Sequence, residues 1–218
     1  MRFEIQPSDG PADEAPSVRV VDGPAESEVE ITVAATDAKD HRWESRNLFR
    51  TDPAGTVDPS RNAPVSGSYG SADPAGPIWS MRFASEDVAP SMFATPSDRL
   101  ELTFTAETGG ETATAVVLRR WGGPGVARSE IRDDAFVGFL YEPAGPGPHP
   151  AVAIIPGTTG ADAMEPTAAL LASRRYAAMV VGYMGLEGLP TTLCEIPLEN
   201  LPPASAGSRR IRAWTAGV

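Results

Sequence analysis

The feature that most constrains this chain is a change of hydrophobic period part-way along it. Up to about Arg120 apolar residues tend to recur at every second position, whereas beyond Trp121 to Gly125 (WGGPG) they come as short continuous runs around one helical stretch. Glu28 to Thr36 (EVEITVAAT) sets Val29, Ile31 and Val33 on one face, and Arg99 to Thr105 (RLELTFT) sets Leu100, Leu102 and Phe104 opposite its charged side. A period of two makes half-buried strands. Thr112 to Arg119 follows Gly109-Gly110, which predicts a hairpin whose turn tolerates positive φ. Helical periodicity is absent from Ser17 to Arg120, so residues 15–122 read as an antiparallel β-sandwich, with WGGPG as a hinge after it.

The second half has a different grammar. Ala135 to Tyr141 (AFVGFLY) reads as a strand, and Ala151 to Ile155 as a strand buried on both faces. Asp162 to Arg175 reads as a helix carrying Met164, Ala168 and Leu171 on its apolar side, with Asp162 as its cap and Pro166 in its first turn; Ala177 to Val181 is the next buried strand. That order predicts a right-handed βαβ crossover, the opening of an α/β domain over 126–200. Between the strand and the helix lie Gly157, Thr158, Thr159 and Gly160. A glycine-framed turn there puts backbone N–H groups where an anion could sit, although many α/β folds use glycine at this point only to close the turn.

Composition removes several functions. A net charge of −11, from 29 acids against 18 bases, opposes a general nucleic-acid binder, which needs a basic footprint. The single cysteine, Cys194, excludes an internal disulfide and a cysteine-based zinc site, and the two histidines, His41 and His149, have no metal-ligand spacing. The start MRFEIQPSDG lacks a basic flank and an apolar signal core, and no apolar run is long enough to span a bilayer; the expectation is a cytoplasmic protein without a membrane span, its oligomeric state open. Asp133-Asp134 does not form a paired acid and base by spacing, because adjacent strand residues face opposite ways.

Two separated stretches carry a resemblance. Gly67 to Met81 (GSYGSADPAGPIWSM), with Trp43, Ser45, Phe49 to Asp58 (FRTDPAGTVD), Ala63 and Pro64 upstream, resembles the N-terminal sandwich of the acyl-CoA thioester hydrolase and bile acid-CoA:amino acid N-acyltransferase family. Ala151 to Gly185, Leu189-Pro190 and Ile196 to Glu199 (IPLE) resemble the start of that family's α/β-hydrolase domain. The resemblance implies an immunoglobulin-like sandwich ahead of an α/β-hydrolase domain, and an activity that passes the acyl group of an acyl-CoA substrate to water or an amino acid. It implies no metal or other cofactor. It also implies that Gly157 to Gly160 give one backbone donor to the oxyanion hole, and that a serine or cysteine nucleophile follows on a sharp strand-to-helix turn, then an aspartate and a histidine.

The sequence departs from that pattern. Neither G-x-S-x-G nor the same frame with cysteine or threonine at its centre occurs in the 218 residues, so no catalytic residue is assigned. Cys194 has no glycine frame, and both histidines precede any nucleophile position. Residues 201–218 begin with two prolines after Leu201 and hold Arg209, Arg210 and Arg212 without an acid, and they read as a divergent tail left by a frameshift or early end. Arg175 stands where the pattern places a helix-ending glycine. Arg119 and Arg120 beside Trp121 suit coenzyme A phosphates but read better as a solvated strand end, and Trp79-Ser80-Met81 as core and turn. The expected function is thus acyl-CoA thioester cleavage or transfer, inactive in this truncated chain. The alternative is a non-catalytic sandwich module that docks a partner, with an exposed sheet edge after Val181.

Overall fold

A computed structural model describes residues 1–86, 88–132, 136–192 and 194, and divides into two units, Met1–Arg120 and Trp121–Val218. Alternation in the first half yields β1 (Arg2–Gln6), β2 (Asp9–Pro11), β3 (Ser17–Val21), β4 (Glu28–Thr36), β5 (Arg42–Arg50), β6 (Ser66–Gly67), a single helical turn α1 (Gly76–Trp79), β7 (Arg82–Phe83), β8 (Arg99–Thr108) and β9 (Glu111–Arg120). The larger sheet runs β2-β9-β8-β4-β5-β6 with β7 also on β5, and β1 pairs with β3 as a small second sheet. Such open, mostly antiparallel sheets are consistent with a β-sandwich. Val29, Ile31, Val33, Leu102, Phe104, Phe49 and Val117 are fully buried on one face of the large sheet, and Phe3 of the small sheet meets Phe104 edge to face at 6.0 Å. Each such side chain contributes about 1.5–3 kcal/mol by leaving water.

The hairpin between β8 and β9 turns at Gly109 and Gly110, both at positive φ, as the glycine pair predicts. Two strands precede residue 15 and belong to the same unit. One of them, β2, pairs with β9 in parallel rather than antiparallel fashion. Its anchor is the arginine pair at the end of β9. Arg120 makes a two-point ion pair with Asp9 at 2.7 Å, and buried Arg119 donates to the carbonyls of Pro7 (2.5 Å) and Glu14 (3.4 Å). These arginines are therefore fasteners for the N-terminal segment, not a solvated strand end.

The structure also accounts for the glycine-rich signature. An added Cβ on Gly76 would lie 2.2 Å from the Tyr69 ring, so only glycine lets α1 close over that tyrosine. Asp73 then ties the turn, accepting from the Ala75 N–H (2.8 Å) and from the Trp79 indole (2.9 Å). Trp79 is 59% exposed, which corrects its reading as core; its neighbour Ser80 is buried.

The second unit contains β10 (Ala127–Arg132), β11 (Val137–Glu142), β12 (Ala151–Ile154), a 3-10 turn over Asp162–Met164, α2 (Glu165–Ser173) and β13 (Ala177–Gly182). The sheet order is β10-β11-β13-β12, with β12 and β13 parallel and the other pairs antiparallel. Every residue of β13 is buried, because it lies between two strands with apolar clusters on both faces. β12 is different. Among the described residues it pairs only with β13, and Ala151, Ala153 and Ile155 are exposed, so it is not buried on both faces as its apolar run suggested. The same topology makes β10 and β12 the edges of the described sheet, and the strand that ends near Val181 is interior. Strand β10 was not foreseen, since ARSEIR has no apolar alternation and its place comes from pairing with β11.

Helix α2 is shorter than expected and starts differently. Its N-cap is Met164, not Asp162, which lies in the preceding 3-10 turn and makes no capping bond; Pro166 does sit in the first turn. At the other end Arg175 takes φ +70, with its N–H donating to Ala172 O and the Tyr176 N–H to Leu171 O. This is a Schellman closure with arginine at the position that favours glycine. Asp133, Asp134, Ala135, the IPLE stretch and the tail 201–218 lie outside the described residues.

Candidate functional site

The glycine-framed turn links the end of β12 to the 3-10 turn before α2, and its two ends are held by buried chemistry. At the entry, Pro156 is buried and its carbonyl accepts a hydrogen bond from the Tyr183 hydroxyl at 2.6 Å, the tyrosine lying just past β13 and itself buried. At the exit, Ala161 is 3% exposed and packs with Val137, Phe139, Ala168, Ala178 and Val180. Between these anchors Gly157, Thr158 and Thr159 are exposed, and Gly160, at φ +82, donates its N–H to Gly157 O at 3.3 Å. The sheet thus brings all four expected residues into one exposed turn whose flanks are fixed.

Helix α2 is pinned next to that turn by charge. Glu165, in its first turn, accepts from Arg128 of β10 at 2.6 and 3.2 Å and from the Tyr141 hydroxyl of β11 at 2.6 Å. Arg128 also lies 4.7 Å from the centre of the Phe139 ring, a cation–π contact. Burial, then the hydrogen bond to the anionic Glu165, pushes the Tyr141 hydroxyl up to about 12; the Glu165 carboxylate holds the Arg128 guanidinium above its ordinary value. A charged, three-way contact of this kind fixes helix position more firmly than neutral bonds.

The other candidates are elsewhere. Cys194 is exposed, with its N–H on Thr192 O at 2.9 Å. The His149 ring nitrogen Nε2 lies 3.4 Å from Gly145 O. His41 belongs to the first unit, where its Nδ1 lies 3.5 Å from Asp37 Oδ2 and 3.2 Å from Ser91 Oγ. Serine, histidine and aspartate meet there, but both oxygens address one ring nitrogen, whereas a catalytic triad needs the acid and the nucleophile on opposite nitrogens. Asp37 instead organises the loop. Burial opposes its charge, but N–H groups of His41, Lys39 and Ala94 and the Trp43 indole outweigh that and bring it down to about 2. Among the described residues no group of three or more metal-ligating side chains forms, and no helix is long and apolar enough to cross a membrane.

Sequence reasoning missed Tyr183, Tyr141, Glu165 and Arg128. The signal available for Tyr183 is a hydroxyl-bearing residue directly after the buried run AAMVVG. The other three come from separate elements and meet only through sheet order.

Known proteins support one assignment. A family model described as the acyl-CoA thioester hydrolase/BAAT N-terminal region matches residues 13–133. Acyl-coenzyme A amino acid N-acyltransferase 2 of Rattus norvegicus is 31% identical over 208 residues, 91% of this chain and 50% of its own length. Acyl-coenzyme A thioesterase 1 of Rattus norvegicus is 30% identical over 199 residues, covering 88% and 47%. Bile acid-CoA:amino acid N-acyltransferase of Mus musculus is 28% identical over 179 residues, covering 78% and 42%. The chain spans about half the length of these curated relatives. With more than half of its residues inside the matched model, it belongs to the acyl-CoA thioester hydrolase/BAAT family.

Proposed function

We propose that this chain serves acyl-CoA thioester cleavage or acyl transfer, with the turn Gly157 to Gly160 giving one backbone donor to the oxyanion of the tetrahedral intermediate. The fold that goes with this reading is an immunoglobulin-like sandwich ahead of an α/β-hydrolase domain that begins near residue 126. The observation that carries it is the position of the turn. It follows the third strand of its unit and leads to a helix, the place from which α/β-hydrolases take one oxyanion donor, the second coming from the residue after the nucleophile. Relatives named as acyl-CoA thioesterases and N-acyltransferases support the substrate class.

In this chemistry a nucleophile attacks the thioester carbonyl, coenzyme A leaves as the thiol, and water or an amine then releases the acyl group. The donor turn stabilises negative charge on the carbonyl oxygen but attacks nothing. Because the 218 residues hold no G-x-S-x-G frame, nor its cysteine or threonine form, they do not perform the reaction by themselves. Thiol release from short and long acyl-CoAs, assayed on the purified chain, should not exceed the uncatalysed rate. Robust turnover that survives every substitution at residues 157–160 would overturn the reading.

A further inference from the structure

Resting on the donor-turn reading of residues 157–160, we propose that Tyr183 is a positioning residue that aims the Gly157 N–H as the oxyanion donor. A trans peptide is planar, and its C=O and N–H point in opposite directions. The Pro156–Gly157 bond is not among the cis peptides of the chain, and its carbonyl is committed to the Tyr183 hydroxyl at 2.6 Å. Fixing that carbonyl fixes the Gly157 N–H on the side away from Tyr183. Gly157 is exposed, and a Cβ built on it would have nothing within 4 Å, so open space is available beside this residue for a ligand atom.

The next peptide is set by a different device. Gly157 O accepts from the Gly160 N–H at 3.3 Å, which orients the Thr158 N–H without help from Tyr183. Loss of the tyrosine hydroxyl should therefore affect one amide of the turn and spare its neighbour, a selectivity that general loosening of the fold would not produce. Tyr183 is also well placed for rigidity. It follows the fully buried strand β13 and is 7% exposed, so its ring has little freedom to swing. Donor groups that are held before the charge develops stabilise it most.

The test is an NMR titration of the ¹⁵N-labelled chain with inorganic phosphate as the anion probe, comparing wild type, Tyr183→Phe and Tyr176→Phe. In wild type the Gly157 amide should move on phosphate addition. In Y183F its response should fall by about threefold or more while Thr158 keeps its own, because a lost orienting bond lets the donor swing off line. Y176F should match wild type, because Ala177 pairs with Ala151 and so residue 176 stands at the opposite end of the β12–β13 pair from Pro156. An equal Gly157 response in wild type and Y183F would overturn the role of Tyr183 alone. No response from any amide of residues 157–160 in wild type would overturn the donor-turn reading, and this proposal with it. Should Y183F not fold, 3-fluorotyrosine placed at position 183 keeps the ring and makes the hydroxyl a stronger donor. The Gly157 ¹⁵N resonance should then shift, and an unmoved resonance would overturn the proposal.

Discussion

Replacing Arg175 with glycine should stabilise the second unit, against the general tendency of glycine to destabilise. Arg175 is held at φ +70 by the bonds that close α2, its N–H to Ala172 O and that of Tyr176 to Leu171 O at 3.0 Å each. A left-handed backbone costs a residue with a Cβ about 1–2 kcal/mol, and glycine escapes this. Glycine returns part of the gain, about 0.5–1 kcal/mol, because its unfolded chain is freer. The net is about 0.7 kcal/mol in favour of R175G, equivalent to about threefold in protection from amide hydrogen exchange. Exchange at Ala177 to Val181, in the strand that follows, reads this unit without mixing in the other. Arg174 is the control. It caps the same helix at φ −97, where glycine relieves nothing, so R174G should lower protection. If R175G leaves the β13 amides unchanged or less protected, the strain argument fails.

The remaining predictions concern the other pinned sites. Asp37 is depressed to about 2 from its ordinary 3.8, so its contribution, about 2 kcal/mol, is present above pH 3.8 and is lost as pH falls through about 2; urea unfolding of the first unit over this range should show the loss, and Asp37→Asn should flatten it. Gly76→Ala should destabilise the same unit by about 1–3 kcal/mol, since its Cβ would overlap the Tyr69 ring, and thermal unfolding would detect it. Glu165→Gln removes the anion that opposes tyrosinate formation, so the Tyr141 hydroxyl should titrate below its present value of about 12 in an ultraviolet titration.

Where a residue's fate depends on its near neighbours in sequence, it was legible. The alternation of Glu28 to Thr36 became β4 over the expected bounds, the Gly109-Gly110 pair became the hairpin turn, and Arg175, standing where the resembled pattern places a helix-ending glycine, took a positive φ. Where a residue's fate depends on what lies across the sheet, it was not. Ala151 to Ile154 and Ala177 to Val181 are both apolar runs, yet one is an edge in the described sheet and the other its fully buried centre, because strand order decides which has two neighbours.

The sequence alone determined the change of hydrophobic period after Arg120, the four residues of the glycine-framed turn and the absence of a nucleophile frame, since all three are matters of local spacing and residue type. Only tertiary structure decided that Arg119 and Arg120 fasten the N-terminal segment, that Glu165 joins Arg128 and Tyr141, and that Tyr183 holds the entry of the turn. Those contacts span 24 to 112 residues, and a hydrogen bond depends on distance and direction in space, which residue order does not encode until the strands have paired.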